Sequence, residues 1–452
     1  MDQVNTLRQY GLFDAKVPRY TSYPPANRFE PGVGSRFQKQ WLGQVPASQP
    51  ISLYVHIPFC RRLCWFCACR TQGTKTLGPV ESYLDVVLKE IDTVAEESLP
   101  KGTGMKRLHL GGGTPTLLNA ELMTRLLDRI HDRFARTDGF EFSVEIDPTE
   151  VAPGLLKTLA GFEMNRASVG VQDFEPKVQQ AIGRIQGFEM TQEVIAEVRR
   201  NGVRSLNIDL LYGLPFQTAE SLLRTLDRVI LLQPDRVALY GYAHVPHVSK
   251  RQMMIPYDAL PEPEKRFNMS EVAKERLVSL GYEAIGIDHF ALPHDSLSKA
   301  AKDGSMSRNF QGYTDDPCQT LIGFGASAIS KFPQGYVQNA VSTSAYMQRI
   351  QAEGLAAHTG IALTSDDRFI AALVNGIMCN HKVGFDALSK LFPKRMDEIS
   401  RIVDNLTRVF PDLWVRNGDA LTIRPEFVAC ARLVAAHLDR TRHETGRHSL
   451  AI

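Results

Sequence analysis

The sequence has no apolar run approaching the roughly 18 residues of a membrane-crossing helix, and no surplus of charge of either sign. Its 452 residues include 52 Lys and Arg against 50 Asp and Glu, a formal net charge of +2. So weak an overall field excludes nucleic-acid binding by bulk charge, and any anionic ligand must be met by a local cluster of basic residues. The opening residues, Met1-Asp2-Gln3-Val4-Asn5, carry neither a basic segment followed by an apolar run nor an Arg-rich amphipathic pattern. A cytoplasmic, unexported protein with no membrane span is therefore expected. Cysteine is scarce and odd in number, seven in all. Four of them, Cys60, Cys64, Cys67 and Cys69, fall within ten residues, whereas Cys318, Cys379 and Cys430 are scattered. That is a poor disulfide framework and a good ligand framework.

The remaining composition, 43% hydrophobic and 23% charged, is that of a globular protein with a sizeable core. Residues 1–48 lack sustained periodicity, and the prolines of Val17-Pro18-Arg19-Tyr20-Thr21-Ser22-Tyr23-Pro24-Pro25 predict an extended arm lying over another part of the molecule. From residue 51, short apolar runs alternate with helix-length segments such as 79–98 and 119–136. The predicted strands are 51–57, 107–110, 141–146, 166–171, 205–211 and 236–242. Six βα repeats predict an α/β fold, a parallel sheet closed partly or wholly into a barrel, with chemistry at the carboxyl ends of its strands. Beyond those ends stand the cysteine cluster, the Gly111-Gly112-Gly113-Thr114 loop, Glu145, Gln172, Asp209 and Ala243. The expected division is an arm over 1–48 covering the site, a barrel with a substrate-binding extension over 49–360, a small helical domain over 361–438 and a flexible tail over 439–452. The tail is polar, with Arg440, Arg442, His443, Arg447 and His448, and is assigned no function.

The spacing Cys60-x-x-x-Cys64-x-x-Cys67 lets three thiolates converge from one loop on three irons of a cubane cluster, leaving the fourth iron open. A structural zinc site is the alternative, with Cys69 as fourth ligand, but such sites pair two distant ligand knuckles and no second pair is present. Trp65-Phe66, just before the last of the three cysteines, suits a stacked adenine.

The Cys-x-x-x-Cys-x-Phe-Cys run after a strand, followed by Gly111-Gly112-Gly113-Thr114-Pro115, resembles the radical S-adenosylmethionine superfamily. A closer resemblance, over roughly residues 10–380, is to the oxygen-independent coproporphyrinogen III oxidase family. It rests on Pro18-Arg19-Tyr20-Thr21-Ser22-Tyr23-Pro24, Tyr54-Val55-His56-Ile57-Pro58-Phe59-Cys60, Cys67-Ala68-Cys69 and His109-Leu110-Gly111-Gly112-Gly113-Thr114-Pro115-Thr116. Glu145-Ile146-Asp147-Pro148, Ser168-Val169-Gly170-Val171-Gln172-Asp173-Phe174 and Asn207-Ile208-Asp209-Leu210-Leu211-Tyr212-Gly213-Leu214-Pro215 extend it. The family often has glycine where Ala68 stands here, and another residue where Pro25 follows Pro24.

The resemblance implies a partial (β/α)6 radical S-adenosylmethionine barrel, a 4Fe-4S cluster on Cys60, Cys64 and Cys67, and two molecules of S-adenosylmethionine. Tyr54, Gly112, Glu145 and Ile329 would contact the first. Phe66, Gly113, Thr114, Gln172, Arg184, Asp209 and Ala243 would contact the second. The implied reaction decarboxylates two propionates of coproporphyrinogen III to vinyl groups in haem biosynthesis. A reduced cluster cleaves S-adenosylmethionine to a 5'-deoxyadenosyl radical that abstracts a propionate β-hydrogen. Flavodoxin or ferredoxin would be the electron donor, the acceptor is left open, and a monomer is implied. A tetra-anionic substrate needs cations or donors, and the candidates for that and for a catalytic part are Tyr54, Arg19, Tyr20 and Gln311, with Tyr23, Arg308, Asn309 and His289 beside them. The rival reading is a haem-inserting chaperone relative; Cys69 and the Arg-Tyr-Thr-Ser-Tyr-Pro arm argue for the oxidase. A haem-degrading methyltransferase relative is a second, and the arm again speaks against it.

Overall fold

A computed structural model describes residues 3–440 and 450–451. Each of the six predicted strand segments forms a strand of one twelve-stranded sheet, whose strands we number along the chain. They are β1 (Ile51–Ile57), β2 (Met105–Gly112), β3 (Arg136–Ile146), β4 (Arg166–Gln172), β5 (Ser205–Tyr212) and β6 (Arg236–Gly241). Adjacent members of this set pair in parallel. Such strands are covered outside by helices and filled inside by side chains, which is why β1 is almost continuously buried rather than alternating. The intervening helices present apolar stripes to the sheet, as Leu122, Met123, Leu126, Leu127 and Ile130 do from Ala120–Arg133. That helix starts where the Asn119 side chain accepts a hydrogen bond from the Leu122 amide.

The sheet also contains strands that the sequence reading did not include. β7 (Glu283–Ile285) and β8 (His289–Ala291) add antiparallel strands beside β6. On the other side β9 (Leu321–Phe324) pairs in parallel with β1. The antiparallel strands β10 (Ile329–Phe332), β11 (Gly335–Asn339) and β12 (Ala357–Ala362) follow it. The order β12-β11-β10-β9-β1-β2-β3-β4-β5-β6-β8-β7 leaves both edges unjoined, so the barrel is partial.

The arm and the carboxyl-terminal part differ from expectation in instructive ways. The first 48 residues are not wholly extended, since they hold helices Gln3–Gln9 and Ser35–Leu42. Trp41 and Leu42 of the second enter the barrel core. Leu7, Leu12, Phe13, Val17, Tyr20 and Tyr23 instead share a separate core with Phe369, Leu373, Ile377, Leu406, Leu413 and Val434. The carboxyl-terminal part contains the helices Ser365–Asn380, Phe385–Leu391, Met396–Val409 and Ala431–Leu438, and a three-stranded sheet of Lys382–Gly384, Trp414–Asn417 and Ala420–Ile423.

The tail is anchored where it is described. Asp439 is buried, and Leu450 bridges to Lys16 while the Ala451 amide donates to the Ala15 carbonyl at 2.8 Å. Arg442, His443, Arg447 and His448 lie outside the described residues. Among the described residues no helix is long and apolar enough to cross a membrane.

Candidate active site

A cavity of about 400 Å³ runs inside the sheet, from Ser52, Arg107, Arg166 and Arg236 early in their strands to the loops beyond the carboxyl ends. Cys60, Cys64 and Cys67 line it, on a loop that leaves β1 and returns towards the helix Gly78–Thr93. Each of the three sulfurs receives a hydrogen-bond donor. Thr114 Oγ1 donates to Cys60 Sγ at 3.5 Å, Arg184 Nη1 to Cys64 Sγ at 3.6 Å and the Cys69 amide to Cys67 Sγ at 3.4 Å. Donors aimed at sulfur stabilise thiolates and tune a cluster bound through them, so the site fits a cubane on these three residues. The contact between Cys69 and Cys67 lowers the Cys67 thiol and raises Cys69. Burial pushes Cys60 up to about 11, so that thiol ionises only with a cation to receive it.

The glycine run is required by space. Gly112 has φ +117°, and a Cβ there would stand 2.7 Å from the His56 ring. A Cβ on Gly113 would lie 2.6 Å from the Phe59 carbonyl oxygen. Freed of side chains, the Gly112 amide donates to Glu145 Oε2 at 3.0 Å, while His109 Nε2 stands 3.4 Å from the other carboxylate oxygen. Register carries the polar row onward, because Glu145 pairs with Ser168 and Ser168 with Asn207. Asp209, on β5, accepts from Ser168 Oγ and Asn207 Nδ2, both at 2.8 Å, and burial raises its pKa. A bulge between Gly170 and Gln172 turns the Gln172 backbone to φ +69° and brings it to the cavity wall.

A second cavity, of about 1020 Å³, meets the first at Phe66, Cys67, Cys69, Gln172, Tyr240, His289 and Gln311. Arg19, Arg308 and Arg432 line it. Arg308 stacks 4.3 Å over the Tyr313 ring, and its Nε and Nη1 are buried without a hydrogen-bond partner. Arg432 is the converse case. It donates to the carbonyls of Val17, Pro18, Leu450 and Ala451, and burial, then Arg19, lowers its pKa to about 9. Its hydrogen bonds are satisfied but these partners carry no negative charge, so an anion in the cavity would relieve it. His289 Nδ1 lies 2.7 Å from Asp288, and its Nε2 stands 3.4 Å from the Tyr240 hydroxyl.

A family profile, the radical SAM superfamily, matches residues 54–229. The chain is 45% identical to the oxygen-independent coproporphyrinogen III oxidase of Paracoccus denitrificans over 452 residues, all of both chains. The chain belongs to the oxygen-independent coproporphyrinogen III oxidase family. Its Escherichia coli member is 39% identical over 373 residues, 82% of this chain and 81% of that one. A solved coproporphyrinogen III oxidase from Escherichia coli, described as a radical SAM enzyme, superposes with a TM-score of 0.88 at 34% identity, covering 94% of this chain and 100% of that one. The cofactors of this radical SAM oxidase family, a 4Fe-4S cluster and S-adenosylmethionine, accord with the three-thiol cradle.

Most of the residues singled out by sequence for this family's chemistry gather at the two cavities. Phe66, Gly112, Gly113, Thr114, Glu145, Gln172, Arg184, Asp209 and Gln311 line the smaller, and Arg19 and Ala243 the larger. Four do not line either, Tyr23 among them, which is buried and donates its hydroxyl to Asp439 at 3.3 Å. Tyr54 stands a layer behind, stacked on His109 with its hydroxyl 2.9 Å from His56 Nδ1. Ile329 lies on β10, and its carbonyl is 2.7 Å from where a Cβ on Gly323, the pairing partner of Tyr54, would be. Tyr20 is buried and donates its hydroxyl to Asp439 at 3.0 Å, so its placement corrects the expectation that it faces substrate. Arg184 reaches the lining, but its nitrogens already meet Cys64, Asp147, Gly170 and Gln186.

Sequence reasoning missed Arg432 and the charged floor of the barrel. Arg107 bridges Glu141, Asp315 and Asp316, Arg166 meets Glu141, and all of them line the smaller cavity. The available signals were an arginine early in each of β2, β4 and β6, and a single arginine in the helix Ala431–Leu438, whose other residues are apolar except His437.

Proposed function

We propose that this chain decarboxylates the propionates of coproporphyrinogen III oxidatively, without oxygen, to give protoporphyrinogen IX. The observation that carries the reading is the junction of a three-thiol cavity with a larger one walled by Arg19, Arg308 and Arg432. When bound, the cluster and S-adenosylmethionine supply the abstraction of a hydrogen atom from substrate. The chain supplies the rest. Cys60, Cys64 and Cys67 hold the cluster, and the donors on their sulfurs keep it oriented. Gly112 and Glu145 suit the amino acid end of one S-adenosylmethionine, with Tyr54 and Ile329 packing that wall from behind. Phe66, Gly113, Thr114, Gln172, Asp209 and Ala243 suit a second molecule, and Arg184 acts towards it by fixing the cysteine loop.

Arg308 and Arg432 hold propionates that are not reacting, so the reacting one is directed to the junction, where Gln311 and His289 meet it. The arm and Leu450-Ala451 form part of the wall of the larger cavity. The reading carries with it a cytoplasmic monomer, reduced by a carrier such as flavodoxin or ferredoxin and passing an electron to a separate acceptor. The relatives named above are oxidases, which favours decarboxylation over haem insertion.

The test is an anaerobic incubation of reconstituted, reduced protein with S-adenosylmethionine and coproporphyrinogen III, following 5'-deoxyadenosine and protoporphyrin by chromatography. Both are expected, and both are lost in Cys64→Ala. Deoxyadenosine without decarboxylated product would overturn the substrate.

A further inference from the structure

The reaction proposed above requires the cysteine site to be reduced in each cycle. The chain has no second cysteine cluster to relay an electron, since Cys318, Cys379 and Cys430 are isolated in the sequence. The electron must enter from outside, close to the loop 60–69. The segment 245–257 is fastened to that loop. Gln252 Nε2 donates to the Phe66 carbonyl at 2.7 Å, Ser249 Oγ to the Cys67 carbonyl at 2.9 Å and Arg251 Nη2 to the Cys69 carbonyl at 2.9 Å.

The residues following Gln252 do not turn inward. Met253 is 74% exposed and Tyr257 70%, the highest values for large apolar side chains among the described residues, and Met254 is exposed beside them. Ile185 and Phe216 are exposed on the neighbouring loops. A small core of Val178, Ile182, Leu214 and Ile255, against which Trp65 and Phe66 pack, joins all three stretches to the cysteine loop. Exposed methionines and aromatics grouped at one place mark an interaction site rather than scattered surface apolarity.

Charge is concentrated at the same place. In a chain of net charge +2, the stretches 60–76, 176–187 and 244–257 contain eight Lys and Arg and no Asp or Glu. Arg61, Arg70, Lys75, Lys177 and Lys250 are exposed. Glu150 pairs with Arg61 at 3.1 Å, Asp147 neutralises the buried Arg184 and Asp258 is exposed beside Tyr257, which together leave the excess smaller but still positive. An apolar centre with a basic rim fits a partner with an acidic rim, and a small face of this kind suits a brief encounter steered by charge.

We infer that the face formed by Met253, Met254, Tyr257, Lys250, Lys75 and Arg70 docks an acidic one-electron carrier protein, placing its redox group beside the Cys67–Cys69 loop. The carrier loses one electron and the cysteine-bound site gains one; no bond forms and no proton moves at the interface. The inference rests on the decarboxylase reading only through the need for reduction.

The test uses reconstituted holoenzyme and purified flavodoxin as the probe. Two double variants are compared with the parent, Lys75→Glu with Lys250→Glu and Met253→Ser with Met254→Ser. Three readouts are taken: flavodoxin binding by calorimetry, the rate of cluster bleaching on mixing with reduced flavodoxin, and turnover driven by dithionite. Both variants should weaken binding and slow bleaching about tenfold or more at low ionic strength. The charge-reversal deficit should shrink as salt is added, with dithionite-driven turnover unchanged. Binding and bleaching at parental values in both variants would overturn the inference. Absence of dithionite-driven turnover in the parent would instead overturn the decarboxylase reading, and binding and bleaching would still judge the docking face.

Discussion

Arg308 and Gly113 make contrasting demands on single residues. Arg308 lines the larger cavity, and two of its guanidinium nitrogens are buried without hydrogen-bond partners. Leaving such donors unsatisfied is costly in the empty protein and is repaid when a carboxylate arrives. Arg308→Ala is therefore expected to raise the KM for coproporphyrinogen III by about ten- to a hundredfold, with little change in iron content. Arg308→Lys should recover only part, because a single ammonium cannot reproduce the planar fork. Steady-state kinetics beside an iron assay separates the two. Gly113→Ala should fail differently. Its new methyl must displace the Phe59 backbone next to Cys60, so iron incorporation falls along with stability, by about 1–3 kcal/mol in a denaturant titration. Gly112 and Gly113 could be read from the sequence because a glycine run has few purposes. Arg308 was named there only as one candidate on a loop, since its stacking on Tyr313 depends on two short strands pairing, Ser307–Asn309 with Gly312–Thr314.

The elements carry their own pH dependence. Glu90, on the helix Gly78–Thr93, is fully buried between that helix and β9 to β11. It accepts from the Gly325 amide at 2.8 Å, Asn339 Nδ2 at 2.7 Å and the Tyr346 hydroxyl at 2.7 Å. Burial outweighs those donors and raises its pKa from 4.5 to about 7. Between these two values the folded protein binds more protons than the unfolded chain, so stability falls as pH rises through that window and is level above it. The fall is about 3 kcal/mol as an upper figure. Thermal denaturation from pH 4.5 to pH 7.5 should show this component in the parent and lose it in Glu90→Gln. The six strands and their helices were legible because short apolar runs alternate with helix-length segments of period 3.6. β7, β8 and β10 were not, being three or four residues long and held in place by pairing with distant neighbours rather than by a pattern of their own.

For the whole molecule, the arm belongs with the carboxyl-terminal part. Leu7, Leu12, Phe13 and Val17 share its core. Arg432 takes Val17 and Pro18 on one side and Leu450 and Ala451 on the other, and Tyr20 and Tyr23 both donate to Asp439. A chain ending at Leu438 is expected to keep its iron but to be cut faster by trypsin after Lys16 or Arg19, and to show a KM for coproporphyrinogen III about tenfold higher. Parental cleavage rates in that truncated chain would refute the coupling. The sequence led to an arm lying over another part of the molecule but not to its partner, and the polar tail predicted fraying. Arg432 is met by main-chain carbonyls, whose positions leave no mark on residue identity, and Tyr20 and Tyr23 meet Asp439 from the opposite end of the sequence.

The same clasp orders events during synthesis. A chain still on the ribosome that has exposed β1 through β12 already presents Cys60, Cys64 and Cys67, but it has neither Arg432 nor Leu450 with which to fasten the arm. Until those residues emerge the larger cavity lacks part of its wall, and the thiols remain open to whatever delivers iron and sulfide. The order of synthesis thus leaves completion of the larger cavity's wall to the last residues made.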